Sequence, residues 1–93
     1  METEFDPQKD TTNMNKHRLS LAEGAKLFND PNHLILPSIR PIDGEDRFKI
    51  IGIKDGKLCT GVYTKRGDVI RFMSLRRSNN GEERRYRSAG GSG

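Results

Sequence analysis

The stretch of sequence that decides the fold is residues 47–64, RFKIIGIKDGKLCTGVYT. It contains two runs rich in β-branched and aromatic residues, 47–54 and 57–64, which are joined by the dipeptide Asp55-Gly56. Aspartate followed by glycine tolerates the positive φ angles that both central residues of a tight type I′ turn require. The stretch therefore predicts an antiparallel β-hairpin.

A third strand is predicted directly after the hairpin. Residues 65–68, Lys-Arg-Gly-Asp, are a turn signal, and in the strand that follows Ile70 and Phe72 alternate with Arg71 and Met73. Alternation with a period of two places the first pair on one face of a sheet and the second pair on the other. Together with the hairpin, this strand makes a three-stranded antiparallel meander.

Polar cap residues predict a short helix after the meander. Asn79 is a favoured N-cap, and Glu82 three positions later completes a capping box, in which each side chain accepts a hydrogen bond from the other residue's backbone N–H. The helix is expected to run to about residue 88, although Gly81 weakens it by roughly 1 kcal/mol relative to alanine. Residues 89–93, AGGSG, are expected to form a flexible tail.

Two helices are predicted before the hairpin. Asp6-Pro7 begins the first, over 7–16, because aspartate accepts hydrogen bonds from the free N–H groups of a first turn and proline has no N–H to leave unpaired. Ser20 and Glu23 predict a capping box for the second, in which apolar residues 21, 25 and 28 recur at helical spacing. Asp30-Pro31 ends it, since the residue before proline is driven out of the helical region.

One more strand, a loop and the fold class complete the predicted architecture. Residues 33–38 predict a strand, which Pro37 confines to an edge, and a polar loop follows over 41–46. We expect one α+β domain over 1–88, with two N-terminal helices packed on one face of a twisted antiparallel sheet of three to four strands and a short C-terminal helix. The residues expected to be prominent in the core are Leu21, Ala25, Phe28, Ile51, Ile53, Val62, Ile70 and Phe72.

Positive charge is concentrated in the last third of the chain. Residues 1–64 hold 9 Lys/Arg and 10 Asp/Glu, a net charge of −1, whereas residues 65–93 hold 8 and 3, a net charge of +5. A local positive field attracts polyanions, and Lys/Arg contacts to phosphate supply the sequence-independent part of nucleic-acid affinity. The charge therefore indicates either a nucleic-acid-binding surface or a solvated basic face without a partner.

Composition excludes several classes of protein. Cys59 is the only cysteine, so it can form no intrachain disulfide, and one thiol without a Cys/His cluster cannot supply a zinc site. Its apolar surroundings predict a buried, unreactive side chain, which fits a reducing cytoplasm. No apolar run approaches the roughly 20 residues of a membrane-spanning helix, and residues 1–6 lack the apolar core of a secretory signal. We expect a cytoplasmic protein without a metal or cofactor.

Residues 5–86 also contain a series of short motifs. They comprise Phe5-Asp6-Pro7, Lys9, Asn13, Lys16-His17, Ala22, Ala25, Phe28-x-Asp30-Pro31, Arg47, Ile51-Gly52, Val62-Tyr63-Thr64-x-Arg66-Gly67, Arg71, Ser74-x-Arg76-Arg77, Glu82 and Tyr86. At these spacings the chain resembles the BrnT toxin family over nearly its whole length. The resemblance implies a RelE-like fold and an RNA-cleaving toxin that inhibits translation. It further implies a hetero-oligomer with a BrnA-like antitoxin, which carries a DNA-binding ribbon-helix-helix domain and neutralises the toxin.

Three residues depart from the family pattern. Arg18 stands where the family usually has glycine, and arginine is expected to cost some strain at a left-handed helix end. Leu21 stands in place of phenylalanine. Glu83 stands in place of arginine, which removes one basic contact that Arg84 or Arg85 would replace.

Candidate catalytic residues follow from what metal-free RNA cleavage requires: a base for the 2′-hydroxyl, an acid for the leaving oxygen, and cations that stabilise charge on the phosphate. Arg76 and Arg77 lie where a strand meets a helix and could converge on one phosphate, or they are a plain surface pair. Glu82 and His17 are the candidate proton carriers. Their structural alternatives are a capping role for Glu82 and a helix-end role for His17.

Further cations and one aromatic residue are candidates for binding RNA. Arg66, Arg71, Arg84 and Lys16 would extend a basic groove. Tyr86 would stack on a base or donate to a phosphate, or else it anchors the last helix to the sheet. The same set of residues also fits a non-catalytic module that binds nucleic acid or an antitoxin.

Overall fold

The computed structural model describes residues 1–38 and 46–91. Most of the predicted loop over 41–46 therefore lies outside the described residues, as do residues 92 and 93 of the predicted tail. The elements, in chain order, are β1 (Glu2–Phe5), α1 (Pro7–His17), a 3-10 helix (Leu21–Asn29), β2 (Leu34–Pro37), β3 (Arg47–Lys54), β4 (Lys57–Arg66), β5 (Val69–Arg77), α2 (Asn80–Tyr86) and a π-type turn (Arg87–Gly91). No helix in these ranges is both long and apolar enough to cross a membrane.

The sheet confirms the predicted meander and adds a strand that was not predicted. Over the described residues the strand order is β1-β5-β4-β3-β2. β3, β4 and β5 pair antiparallel in sequence, and β2 pairs antiparallel with β3 at one edge, as predicted. β1 pairs parallel with β5, so the prediction of a purely antiparallel sheet of three to four strands was wrong. Residues 2–4 are polar, so β1 has no apolar signature and depends on its neighbour for pairing.

Turn and cap chemistry set the ends of several elements. Asp55 and Gly56 both have positive φ angles, 52° and 78°, which confirms the type I′ turn between β3 and β4. The Asp6 side chain accepts a hydrogen bond from the Gln8 N–H at 2.9 Å and begins α1 as predicted. Arg18 caps the end of α1. Its φ of 59° confirms the predicted left-handed position, which here is occupied by arginine rather than glycine.

The second predicted helix forms, but as a 3-10 helix with a different cap. Its buried residues are Leu21, Gly24 and Leu27, a spacing of three that matches the three residues per turn of 3-10 geometry. Ser20 accepts from the Ala22 N–H at 3.2 Å. Glu23 instead lies 3.2 Å from the Lys54 ammonium, so the predicted capping box at this position was wrong.

The main core lies between the 3-10 helix and one face of the sheet. Leu21, Ile70 and Phe72 are buried there as predicted, and Phe28 packs against its margin. Ala25 and Val62 are only half-buried. The buried residues of this core are Leu21, Leu27, Ile50, Cys59, Tyr63, Ile70, Phe72 and Leu75.

Elements on both sides of the sheet explain the remaining differences from the predicted core. Ile50 and Ile51 are both fully buried although consecutive strand residues point to opposite faces. Ile51 pairs with Thr60, the residue that contacts α2 through Glu82, so α2 packs on the second face. Ile53 lies on that second face but is 46% exposed, so its placement in the core was wrong.

α1 does not share the 3-10 helix's position on the sheet face. β1 pairs with β5 only as far as Phe72, which leaves the edge of the following residues open. The Asn13 side chain hydrogen-bonds to the backbone of Leu75 at this edge. The prediction that both N-terminal helices pack on one face was therefore wrong, because α1 lies against the edge of β5.

Candidate active site

An open groove of about 680 Å³ lies between α1 and the second face of the sheet. We call it the α1 groove. Lys9, Thr12, Asn13 and Lys16 recur at spacings of three and four, so one face of α1 forms its wall. Among the described residues that line it, the titratable and charged side chains are Asp6, Lys9, Lys16, His17, Arg47, Lys49 and Arg76. Cations from two separate parts of the chain thus meet in one depression.

Asn13 anchors the wall of this groove to its floor. Its Nδ2 atom donates to the carbonyl oxygens of Leu19 at 2.7 Å and of Leu75 at 2.8 Å. The Leu75 N–H in turn donates to the Asn13 Oδ1 atom at 3.1 Å. Asn13 is 5% exposed, so these bonds are buried. The side-chain amide thus gives the Leu75 backbone the partners that a neighbouring strand would otherwise provide.

Arg76 is held by Glu82 at the junction of the groove floor and α2. The Nη1 and Nη2 atoms of Arg76 donate to Oε1 and Oε2 of Glu82, each at 2.8 Å. Oε1 also accepts from the Thr60 hydroxyl and the Asn79 N–H, both at 3.0 Å. The Lys49 ammonium lies 3.2 Å from Oε2. The Asn79 side chain accepts from the Glu82 N–H at 2.8 Å, which confirms the predicted capping box.

These contacts keep the Glu82 carboxylate ionised. Burial by itself raises its pKa, but the hydrogen bonds from Arg76, Asn79, Thr60 and Lys49 favour the charged form more strongly and lower the pKa to about 2. The same contact raises the pKa of Arg76 above its usual value. Glu82 and Arg76 therefore form a permanent ion pair at neutral pH.

Arg77 does not join Arg76 in the α1 groove. The two residues pair with Cys59 and Thr60 respectively, which face opposite sides of β4, so their side chains leave opposite faces of β5. Arg77 is exposed and lines two other clefts, one of which also includes Lys57 and Cys59. The expected convergence of Arg76 and Arg77 on one phosphate is not observed.

His17 and Lys16 lie where the groove reaches the last turn of α1. Lys16 is exposed, and His17 is half-buried. His17 also lines the cleft on the other side that contains Arg77. The structure thus brings His17 and Lys16 into one groove with Arg76, but not beside Glu82.

The other predicted RNA-binding arginines occupy three different places. Arg66 is exposed at the end of β4, and Arg71 lies 3.3 Å from the Glu4 carboxylate of β1. Neither lines the α1 groove. Arg84 and Arg85 are exposed on α2 and line a neighbouring cleft of about 500 Å³, the α2 cleft, which shares Lys49 with the α1 groove.

Tyr86 occupies the anchoring position rather than a free surface. It is 6% exposed, and its hydroxyl donates to Asp30 Oδ2 at 2.7 Å. Asp30 also accepts from the backbone N–H groups of Asn32 and Ile53. Burial and the bond to Asp30 raise the pKa of Tyr86 to about 12. For Asp30, burial raises the pKa, but the donors around it, Tyr86 first, lower it overall.

The sequence that contains these groove residues matches a known protein family. The family model described as the ribonuclease toxin BrnT of type II toxin–antitoxin systems matches residues 5–82. The chain belongs to the BrnT family. A comparison of the chain with curated proteins found no significant match. In this BrnT-family chain the matched segment runs from the end of β1 to Glu82, so it includes every charged residue of the α1 groove. The family is one of ribonuclease toxins, which act on RNA and are paired with an antitoxin.

Three groove cations of this BrnT-family chain were not selected from the sequence as site residues. Lys9 and Arg47 belonged to the motifs of the resemblance, and that was the only signal they carried. Lys49 carried none, because its place in the groove depends on which face of β3 is turned to α1. Within residues 1–38 and 46–91, no three His, Cys, Asp or Glu side chains are grouped in a way that would hold a metal ion.

Proposed function

We propose that this chain is a cytoplasmic endoribonuclease that cleaves RNA in the α1 groove without a metal ion and thereby inhibits translation. The BrnT family membership supports ribonuclease activity in general. The observation that carries the location is the meeting of Lys9 and Lys16 of α1 with Arg47, Lys49 and Arg76 of the sheet. Five cations around one open groove suit the phosphates of a single RNA strand.

Arg76 is the cation we assign to the scissile phosphate. Its side chain is 29% exposed, and its two terminal nitrogens donate to Glu82, with Nη1 also donating to the Arg77 carbonyl at 3.3 Å, so the guanidinium is held in one orientation while it lines the groove. A guanidinium that is already oriented stabilises developing negative charge without reorganising during the reaction. Lys49 and Arg47 lie on the same floor and would hold the neighbouring phosphate oxygens.

His17 is the group we assign to proton transfer. Cleavage requires a base that takes the proton of the 2′-hydroxyl and an acid that supplies one to the leaving 5′-oxygen. Glu82 has a pKa of about 2 and its oxygens accept from four residues, so it is a poor proton carrier at neutral pH. An imidazole can both accept and donate a proton, and His17 lines the groove.

Cations outside the groove are assigned to the flanking RNA. Arg84 and Arg85 of the α2 cleft continue the positive surface beyond Lys49. Arg66, Arg71 and Arg77 are proposed to add to the long-range positive field that concentrates RNA near the protein. Loss of one of these would weaken binding to all RNAs similarly and reduce its salt dependence, without a specific loss of cleavage rate.

The cleavage test combines rate and equilibrium binding measurements on a labelled RNA. Arg76→Ala should lower the cleavage rate by roughly 10²–10³, by analogy with removal of one transition-state donor, with a smaller effect on binding. His17→Ala should lower the cleavage rate with little effect on RNA binding, since it removes the assigned proton carrier. Lys26→Ala is the control, since it removes one exposed cation from the 3-10 helix, outside the groove, and should cleave at the wild-type rate.

A non-catalytic binding module is the second candidate. The observation that favours it is the ion pair of Arg76 with Glu82, which already neutralises the central cation of the groove. The same experiment separates the two functions. Folded wild-type protein that binds RNA but never cleaves it, either free or on ribosomes, would replace the ribonuclease assignment with the binding module.

For the antitoxin we propose a BrnA-like protein with a DNA-binding domain that covers the α1 groove with an acidic or amphipathic segment. The net charge of +5 over residues 65–93 supports an acidic partner. A partner that binds only the folded chain stabilises it, by about 2.7 kcal/mol at a hundredfold excess over its dissociation constant. Equal melting temperatures for the chain alone and with the product of its neighbouring gene would contradict this assignment.

A further inference from the structure

The Glu82 carboxylate joins α2 to two cations of the α1 groove. Arg76 comes from β5 and Lys49 from β3, and both contact the same carboxylate, at 2.8 Å and 3.2 Å. The Thr60 hydroxyl on the intervening strand β4 donates to it at 3.0 Å. One side chain on α2 thus connects to three adjacent strands of the groove floor.

A helix cap alone does not account for this arrangement. A capping box needs only Asn79 and the backbone-facing oxygen of Glu82. The second oxygen, Oε2, takes no part in the cap, and among the described residues it is bound by Arg76 and Lys49. The Glu82 side chain is 7% exposed, whereas those of Arg76 and Lys49 are 29% and 30% exposed. Arg76 and Lys49 line the α1 groove, whereas the buried acid lines the neighbouring α2 cleft.

We propose that Glu82 is a positioning residue for RNA cleavage, which orients the Arg76 guanidinium and the Lys49 ammonium toward the α1 groove. The proposal rests on the function proposed above. Two hydrogen bonds to one carboxylate fix the plane of the guanidinium as well as its position. Cations that are held in place before the reaction stabilise transition-state charge more than cations that must first become ordered.

The positioning role has a cost that makes it measurable. The Glu82 charge attracts the same cations that RNA phosphates must bind, so it weakens RNA binding in the ground state. Removal of the charge should therefore lower kcat, while KM stays unchanged or falls. A residue that serves only to keep α2 folded would instead impair both parameters together.

The experiment compares Glu82→Gln with Asn79→Ala at a temperature at which circular dichroism shows both to be folded. Glu82→Gln keeps the shape of the side chain and removes its charge. We expect kcat to fall by about tenfold or more, because a positioning contact is lost, but by less than in Arg76→Ala. RNA binding should be as tight as in wild type or tighter, with a steeper salt dependence. Glu82→Asp, which keeps the charge, should recover part of kcat.

Asn79→Ala is the matched control, because it breaks the helix cap but leaves the carboxylate and both cations in place. It should keep kcat near the wild-type value. If wild type cleaves RNA and Glu82→Gln changes kcat and KM as Asn79→Ala does, Glu82 is a capping residue and the proposal is overturned while the ribonuclease function stands. A pH–rate profile that loses one of its limbs in Glu82→Gln would also overturn it, since Glu82 would then itself transfer protons. Folded wild type that does not cleave RNA overturns both proposals.

Discussion

Asn13 and Leu75 form a reciprocal pair of hydrogen bonds, in which a side-chain amide on α1 substitutes for a strand beside β5. Asn13 Nδ2 donates to the Leu75 carbonyl at 2.8 Å, and the Leu75 N–H donates to Asn13 Oδ1 at 3.1 Å. The two residues are 62 positions apart in the chain. This pair joins α1, the wall of the α1 groove, to β5 of its floor.

Asn13→Ala should destabilise the protein by about 2–4 kcal/mol. The substitution leaves the buried N–H and carbonyl of Leu75 without their partners, and each unsatisfied group costs about 1–3 kcal/mol. Urea denaturation followed by circular dichroism would measure the loss. Asn15→Ala, on the exposed side of the same helix, is the control and should remain within about 0.5 kcal/mol of wild type. Equal stability of the two variants would show that the Asn13 bonds contribute little.

Tyr86→Phe should cost about 1.5–3 kcal/mol, the range for a hydrogen bond to a charged group. The hydroxyl of Tyr86 donates to Asp30, and this bond ties α2 to the end of the 3-10 helix. A double-mutant cycle with Asp30→Asn isolates the pair, because Asp30 has further donors in Asn32 and Ile53. Strictly additive effects of the two substitutions would mean that the bond is energetically unimportant.

Acid should weaken the folded state through Glu82. Its pKa falls from the usual 4.5 to about 2 on folding. A carboxyl group whose pKa is depressed by folding contributes stability that is fully present above its unfolded value and is lost as pH falls from 4.5 toward 2. A difference of this size corresponds to about 3 kcal/mol.

Denaturation of wild type and Glu82→Gln at a series of pH values tests this contribution. The stability difference between the two proteins should be widest near neutral pH and should close progressively below about pH 4.5. A difference that does not vary with pH would show that the carboxylate charge is not responsible for it.

Two glycine-to-alanine substitutions should have effects of opposite sign. A Cβ atom at Gly24 would lie 2.7 Å from the Phe72 ring, which is buried in the core. At Gly81, in α2, the nearest atom would be 3.5 Å away. Gly24→Ala should therefore destabilise by about 1–3 kcal/mol, while Gly81→Ala should stabilise by up to about 1 kcal/mol. Thermal unfolding would measure both, and a neutral Gly24→Ala would mean that the 3-10 helix shifts away from the sheet easily.

Local elements were predicted well where a few neighbouring residues decide the backbone conformation. The Asp55-Gly56 turn and the Asn79–Glu82 cap formed as expected. The second helix was harder, because its 3-10 geometry places Leu21, Gly24 and Leu27 against the sheet, a tertiary contact that the helical spacing of residues 21, 25 and 28 did not indicate. β1 was not predicted, since its polar residues gain their partners only when β5 is present.

The candidate site was predicted in its residue types more than in its arrangement. Arg76, Lys16 and His17 were selected from the sequence and do line the α1 groove. Arg77 was selected with Arg76, but the alternation of β5 carries it to the opposite face. Lys49 was not selected, because only the pairing of β3 with β4 and the position of α1 bring it beside Arg76 and Glu82.

By itself the sequence determined the α+β class, the meander, the caps that begin α1 and α2, and the concentration of positive charge, because these depend on backbone preferences and composition within short windows. Only the tertiary structure decided that α1 lies at the edge of β5, that α2 covers the second face of the sheet, and that Glu82 contacts both Arg76 and Lys49. The contacts of Asn13 with Leu75 and of Lys49 with Glu82 join residues that are distant in the chain. Their free energy comes from the burial of apolar groups and from the partners available to buried polar groups, which no single segment contains.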